Sequence, residues 1–229
     1  VIGAWFLALF AGPAIYAAMG LAGFAFLAIA GIPGIVIPQK VAMAANSFPL
    51  LAAPLFILMG NLMNASGISY RIFDFAKAIV GWMRGGLAQA NIVGSVIFAG
   101  MSGSAVADAA GLGTVEIEAM KREGYDAATA AAVTAASATI GPIIPPSLPM
   151  VIYGVTADVS IGRLFLGGVV PGLLMAVSLM LMVREIARRR NLPRHPFPTM
   201  GDLWHAYKRA HWALMTPVIL FGGMMGGWF

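Results

Sequence analysis

Apolar residues fill this chain in long blocks that break at Gly, Pro and short charged segments. The pattern predicts helices that are hydrophobic on all sides, separated by turns. A first block runs to about Phe10 and breaks at Gly12-Pro13. A second covers Ala14 to about Ala30 and closes at Gly31-Ile32-Pro33-Gly34, a turn signal. Gln39 and Lys40 are expected in a short polar link. Ser47 to about Met63 reads as a third span, closed by Asn64-Ala65-Ser66-Gly67. A fourth helix, about Ser69 to Met83, is more amphipathic. On it Arg71, Asp74 and Lys77 are spaced for local pairing.

The next block is unusual. Leu87 to Ala99 is apolar but too short to cross about 30 Å of hydrocarbon at about 1.5 Å per residue. Gly100-Met101-Ser102-Gly103-Ser104 follows, then a second short helix from Ala105 to about Met120. Two half-length helices joined by a Gly/Ser tip describe a re-entrant hairpin, whose non-helical backbone is tolerated at membrane depth only beside protein or a water-filled cavity. Lys121-Arg122-Glu123-Gly124 marks the return to water. A helix from about Asp126 then carries an Ala/Thr/Ser-rich face suited to close helix contact. It meets Pro142, Pro145, Pro146 and Pro149, and four prolines in eight residues exclude a regular helix interior. The helix is expected to break there and to restart near Ser147, running to about Val155.

A span from about Leu164 to Val183 ends at Arg184-Glu185-Ile186-Ala187-Arg188-Arg189-Arg190, and Pro193, Pro196 and Pro198 stiffen a linker. Thr199 to about Ala210 sets Leu203, Trp204 and Tyr207 against Asp202, His205, Lys208 and Arg209, the pattern of an interfacial amphipathic helix. Trp212 to Phe229 begins another span. The first residues lack Met and a basic segment, and the last stop inside an apolar run, so both ends are expected to be cut from a longer chain.

Composition supports a membrane setting. Hydrophobic residues make up 60% of the 229 and charged residues 10%, against roughly 45–50% and about 25% in soluble domains. The missing charge is the stronger signal, because a water-facing surface has to be solvated. The net charge of +5 comes mostly from short segments between apolar blocks, which the positive-inside rule explains better than nucleic-acid binding. Hairpin entrance from the cytoplasm places Arg84, Lys121, Arg122 and the 184–209 basic cluster on that side, leaving Arg71 and Arg163 outside. The chain has no cysteine, which removes disulfides, thiolate metal sites and cysteine nucleophiles.

The chemistry follows from the two interruptions. Helix C-termini expose carbonyls and helix N-termini expose N–H groups. Carbonyls near Gly100 and Gly141, with the hydroxyls of Ser102, Ser104 and Thr139, suit a small hard cation. The N-termini near Ser104 and Ser147 suit an anionic substrate group, a pairing that recurs in secondary transporters. Asp108, four residues past Ser104, is a candidate for the cation site, because a buried membrane acid usually faces a polar interior; the alternative is that it stabilises the helix start. Gly168 and Gly172, with the pairs Gly222/Gly226 and Gly223/Gly227, are expected to permit close helix packing. Glu116 and Glu118 are expected to pair with Lys121 and Arg122 at the interface. The methionines read as lipid-facing or core filler, and Arg188-Arg189-Arg190 as a topology signal in reach of acidic lipids.

Three segments together resemble a known family: residues 100–108 (GMSGSAVAD), residues 119–125 (AMKREGY) and residues 135–147 (AASATIGPIIPPS). They look like the large membrane (M) subunit of tripartite ATP-independent periplasmic (TRAP) transporters, with the likeness running from Ser47-Phe48-Pro49-Leu50 through Pro171-Gly172. The resemblance implies an all-α polytopic, inverted-repeat elevator-type fold with a re-entrant hairpin and a Pro-broken helix, of which this chain would hold the first repeat. Residues 1–46 would be scaffold-type helices, 47–186 the transport region, 187–211 a linker and arm helix, and 212–229 the start of the second repeat. It also implies a bacterial inner-membrane importer of small organic acids coupled to Na+, a small four-helix Q subunit and a soluble periplasmic binding protein. Carried over residue by residue, Ser102, Gly103, Ser104, Thr139, Gly141 and Pro145 would form the first sodium site. Ser102, Gly103, Ser104 and Ser147 would bind substrate.

Two other classes compete. Gly100-Met101-Ser102-Gly103 matches an intramembrane serine-protease pattern, but the three histidines, His195, His205 and His211, all lie in or beside the basic segment and leave the serine without a base. No phosphate loop of the GxxxxGK[ST] type is present, so the chain does not hydrolyse ATP. A passive channel also uses re-entrant loops, yet one hairpin beside one broken helix suits a closed binding site better.

Overall fold

The computed structural model describes residues 2–10, 12–46 and 48–226. Its described residues form twelve helices and no strand. They divide into two units at Phe48/Pro49.

The first unit holds α1 (Ile2–Phe10), α2 (Ile15–Ile29) and α3 (Val36–Ala45), with α1 packed on α2. Gln39 and Lys40 lie inside α3 rather than in a link. Pro38 falls in its first turn, where a missing N–H costs nothing, and Gln and Lys are good helix formers.

The second unit begins with α4 (Phe48–Ala65) and α5 (Ile68–Val80), followed by α6 (Gly86–Ser102). Next come α7 (Ala105–Ala110), α8 (Leu112–Arg122) and α9 (Ala127–Ala138). The chain closes with α10 (Leu148–Thr156), α11 (Ile161–Arg189) and α12 (Met200–Gly226). At its centre stands α6, touched by α5, α8, α9, α11 and α12. Its sequence explains the position. It carries no charge, and small residues spaced along it let neighbours approach closely. A Cβ on Gly94 would stand 2.9 Å from Glu116 Oε1, and one on Gly100 would stand 2.7 Å from Pro217 Cβ.

Helix starts follow sequence chemistry. Asp126, Ser147 and Ser160 cap α9, α10 and α11 by accepting from the N–H of Thr129, Met150 and Arg163. The Thr129 donors, aided by Arg190, hold the Asp126 carboxyl below its ordinary range. Elsewhere the expected boundaries move. α6 runs on to Ser102, so the non-helical tip is only residues 103–104. The second arm is not one helix, because Gly111, at φ −92 and ψ −83, divides α7 from α8. The amphipathic arm and the last apolar block are one helix, α12, since nothing between Ala210 and Thr216 breaks it. Gly168 and Gly172 of α11 are packing residues as expected; Gly168 admits Ile143 of the proline-rich turn and Met150 of α10, and Gly172 admits Ile144 of the turn.

Among the described residues, α11 alone is long and apolar enough to cross a bilayer, with mean hydropathy 2.2 over its best window. Leu173, Leu174, Val177, Leu181 and Met182 on it are exposed, a continuous apolar face that water would penalise and lipid would not. The basic ends gather: Arg84 from the α5–α6 turn lines one cavity with Arg184 and Arg188 of α11. Lys77 does not pair with Asp74. Its Nζ lies 3.1 Å from Glu123, whose other oxygen is 2.9 Å from His195 Nε2.

The tightest tertiary tie is polar. Asn91 of α6 donates to Glu116 Oε2 at 2.6 Å and to Thr134 Oγ1 at 2.8 Å, and accepts from Ser137 Oγ at 2.5 Å. All four residues are buried, so α6, α8 and α9 are locked in register. Glu116 is therefore inside, not paired at the interface with Lys121 or Arg122; Glu118 alone pairs with Arg122. Only on the inner face of α8 does a carboxylate meet Asn91, and sequence spacing alone does not reveal that partner.

Asn91→Ala removes the shared amide and strands buried polar groups on two neighbouring helices, α8 and α9, a loss of about 3 kcal/mol. Thermal unfolding of the purified variant should show a clearly lowered midpoint, and a midpoint equal to wild type would contradict this network. Gly103→Ala places a side chain at φ +56 with its Cβ 3.1 Å from Leu148 N and Ser147 Cα, costing about 2 kcal/mol or more. The same unfolding assay should rank Gly103→Ala well below Gly167→Ala, whose added Cβ meets nothing within 4 Å.

Candidate functional site

The site is built where the two interruptions meet. α6 ends because Gly103 takes the left-handed conformation, φ +56, and returns its N–H to Ala99 O at 3.2 Å. Ser104 follows in extended geometry and caps α7, accepting from Ala107 N at 3.4 Å. On the other side, α9 stops at Thr139, and residues 139–147 wind through turns that include a cis Pro145–Pro146 bond before α10 begins. Leu148 N donates to Gly103 O at 3.2 Å, stitching the start of α10 to the tip of α6. A Cβ on Gly141 would lie 3.2 Å from Ser104 C and 3.3 Å from Ser104 O. Gly103 itself sits against Pro146 O, so glycines at both positions allow the two backbones to touch.

Of the residues expected here, Ser102, Gly103, Gly141, Pro145 and Ser147 are buried, and Ser104 is half-buried. Ser102 is 1% exposed and its hydroxyl has no hydrogen-bond partner. Such an orphaned oxygen is costly unless a ligand completes it. Ser147 is different. Its hydroxyl donates to Pro142 O and accepts from Met150 N at 3.3 Å, so it holds the turn together. The first turn of α10 also has no donor to spare. Leu148 N is bound to Gly103 O, Pro149 has none, Met150 N is bound to Ser147 Oγ, and Val151 N to Ser147 O. Thr139 is exposed, donates to Ala136 O at 2.6 Å and lines a groove of about 430 Å³ with Pro171, Leu174 and Met175 of α11.

Asp108 is 1% exposed and both carboxylate oxygens lack a partner. Its side chain lies alongside Ser95 of α6, seven residues before Ser102 and so about 10 Å down the helix. Ser95, Asn91 and Glu116 were not foreseen as site neighbours. The signal was present: Asn91, Ser95 and Ser102 fall within about 40° of one another at 100° per residue, a polar stripe on an otherwise apolar helix. The serine-nucleophile reading gains nothing, since His195 faces Glu123 and His211 lies 2.9 Å from the Tyr207 hydroxyl.

Comparison with known proteins converges on one family. The model described as "Tripartite ATP-independent periplasmic transporter, DctM component" matches residues 2–229. The chain is 48% identical over 191 residues to the sialic acid TRAP transporter permease protein SiaT of Haemophilus influenzae, covering 83% of this chain and 31% of the relative. To the sialic acid TRAP transporter large permease protein SiaM of Vibrio cholerae it is 44% identical over 226 residues, 98% of this chain and 53% of the relative. To the C4-dicarboxylate TRAP transporter large permease protein DctM of the same species it is 44% identical over 185 residues, 81% and 41% of the two chains. The chain thus spans about a third to a half of the length of these curated relatives. These relatives are transport proteins of the membrane, not enzymes. The chain belongs to the tripartite ATP-independent periplasmic transporter family, as a DctM-type component.

Proposed function

We propose that this chain forms the first half of the membrane subunit of a sodium-coupled secondary transporter that imports a small organic acid. One observation carries the reading: a buried Ser102 hydroxyl without a partner, at the point where Gly103–Ser104 touches Gly141 and the Pro146–Ser147 backbone. Na+ is cargo here. It would be held by the Ser102 and Ser104 hydroxyls and by backbone carbonyls of Gly103, Thr139, Gly141 and Pro145, all hard oxygen donors. The carboxylate of the substrate would then draw on the Ser102 and Ser104 hydroxyls, with Ser147 positioning the turn, because the α10 amides are already engaged. The cation beside it supplies the attraction, which makes binding of the two mutually dependent.

Relatives named for sialic acid and C4-dicarboxylates support an organic acid as the substrate class. The words tripartite and periplasmic in the family description support further components, one of them periplasmic; in this reading they are a periplasmic binding protein and a small membrane subunit, and the membrane is a bacterial inner membrane. In this reading α6–α8 form a re-entrant hairpin, the break at residues 139–147 interrupts a membrane helix, and both move together as an elevator against the scaffold. The gathering of Arg84, Arg184 and Arg188 supports a cytoplasmic position for that end of the unit.

Uptake into proteoliposomes bearing the complete transporter, with its binding protein outside, tests this directly. Substrate should accumulate only under an inward Na+ gradient, and Ser102→Ala should raise the Na+ concentration for half-maximal uptake about tenfold, a loss of about 1.4 kcal/mol. Flux that neither concentrates nor needs Na+ would instead indicate a channel. Unchanged Na+ dependence in Ser102→Ala would remove this hydroxyl from the site.

A further inference from the structure

Behind the tip, the interior of the helix pair holds more negative charge than its surroundings answer. Asp108 and Glu116 are both at most 1% exposed, and among the described residues neither forms an ion pair. Both Asp108 oxygens, Glu116 Oε1 and Ser95 Oγ are buried without a hydrogen-bond partner. The Asp108 and Glu116 carboxylates interact electrostatically, and the Ser95 hydroxyl lies within interacting reach of Asp108, short of ordinary hydrogen-bond geometry. The remaining oxygen of Glu116 is fixed by Asn91 at 2.6 Å, which aims Oε1 at the Gly94 backbone. Four buried oxygens on three side chains thus lie along the 91–95 stretch of α6, and no ion pair among the described residues neutralises the two acids.

We propose that Ser95, Asp108 and Glu116 form an internal binding site for a hard monovalent cation, Na+ or Li+, separate from the tip and about 10 Å from it along α6. The chemistry selects the ion class. All four free atoms are oxygens, so soft metals are excluded. Ca2+ takes six to eight oxygens and Mg2+ keeps several waters, more than the four unpartnered side-chain oxygens here supply. A small monovalent ion needs fewer ligands, and the Asn91 amide shares the remaining negative charge of Glu116. The inference stands whether or not the tip binds an ion. It makes Asp108 a ligand of this inner site, and it gives the buried Glu116 a use beyond packing.

The test is Na+ binding to the purified complete transporter at constant ionic strength, with choline as the replacement ion. Radioactive Na+ gives the number of bound ions, and thermal unfolding with NaCl or LiCl reports the stabilisation they cause. Ser95→Ala and Glu116→Gln should each lose one bound ion or weaken it at least tenfold, while Ser102→Ala leaves that ion in place and disturbs only the tip. Ser95→Ala removes a single oxygen, so it remains informative if Glu116→Gln fails to fold. Wild-type ion count and affinity in Ser95→Ala would overturn the proposal. So would a wild-type protein whose unfolding responds to micromolar Ca2+ or to protons but not to Na+. A defect in Ser102→Ala alone would leave the tip reading standing and this one refuted.

Discussion

A peptide group that leaves a helix inside a protein or a bilayer must find another partner, and the second unit of this chain depends on how two such departures satisfy each other. The Leu148 N–H to Gly103 carbonyl bond joins them. It lets the end of one helix and the start of another serve as mutual caps, so neither requires water. Glycine at 103 and 141 is the condition for that approach, because a Cβ at either position would stand at or inside van der Waals contact with the opposing backbone. The result is a place where backbone and hydroxyl oxygens are concentrated while the surrounding helices stay apolar.

Rigidity around this place comes from α6. It is buried on most sides, and three of its few polar residues, Asn91, Ser95 and Ser102, share one face. Asn91 ties α8 and α9, and Ser95 and Ser102 continue its line toward the tip, while Gln89 on the opposite side reaches the Met180 carbonyl of α11 at 2.9 Å. Fully satisfied groups on this line specify register, whereas unsatisfied ones are the places where a ligand gains most. The division is plain in the structure: Asn91 uses both its amide hydrogens and its oxygen, Ser95 and Asp108 have at most each other, and the Ser102 hydroxyl has no partner. Structural and functional polarity thus share one helix face.

Local chemistry was legible in the sequence and long-range pairing was not. The helix starts at Asp126 and Ser147, the stop at the proline cluster and the Gly/Ser interruption all depend on residues within a few positions, and the sequence shows them. The family was legible too, because three separated segments had to agree. Partners across the fold were hidden. Lys77 finds Glu123 46 residues away instead of Asp74, and Glu116 turns inward to Asn91 rather than to the basic residues that follow it. Boundaries also moved where no strong signal stood. Gly111 divides an arm that periodicity reads as continuous, and α12 runs through a junction that composition reads as a change of region. At the site, burial separated residues that the sequence had grouped, leaving Ser102 as an unpartnered hydroxyl, Ser147 as a structural cap and Thr139 at an exposed groove.

The central claim is that residues 103–104 and 139–147 close around a cation within the membrane-embedded protein. A single cysteine at Ser104, in a cysteine-free version of the complete transporter reconstituted in liposomes, reports on this most directly through its reaction with a membrane-impermeant maleimide. Labelling should be slow, slowed further by Na+ and not by choline. Labelling as fast as an exposed loop cysteine, and indifferent to Na+, would contradict it.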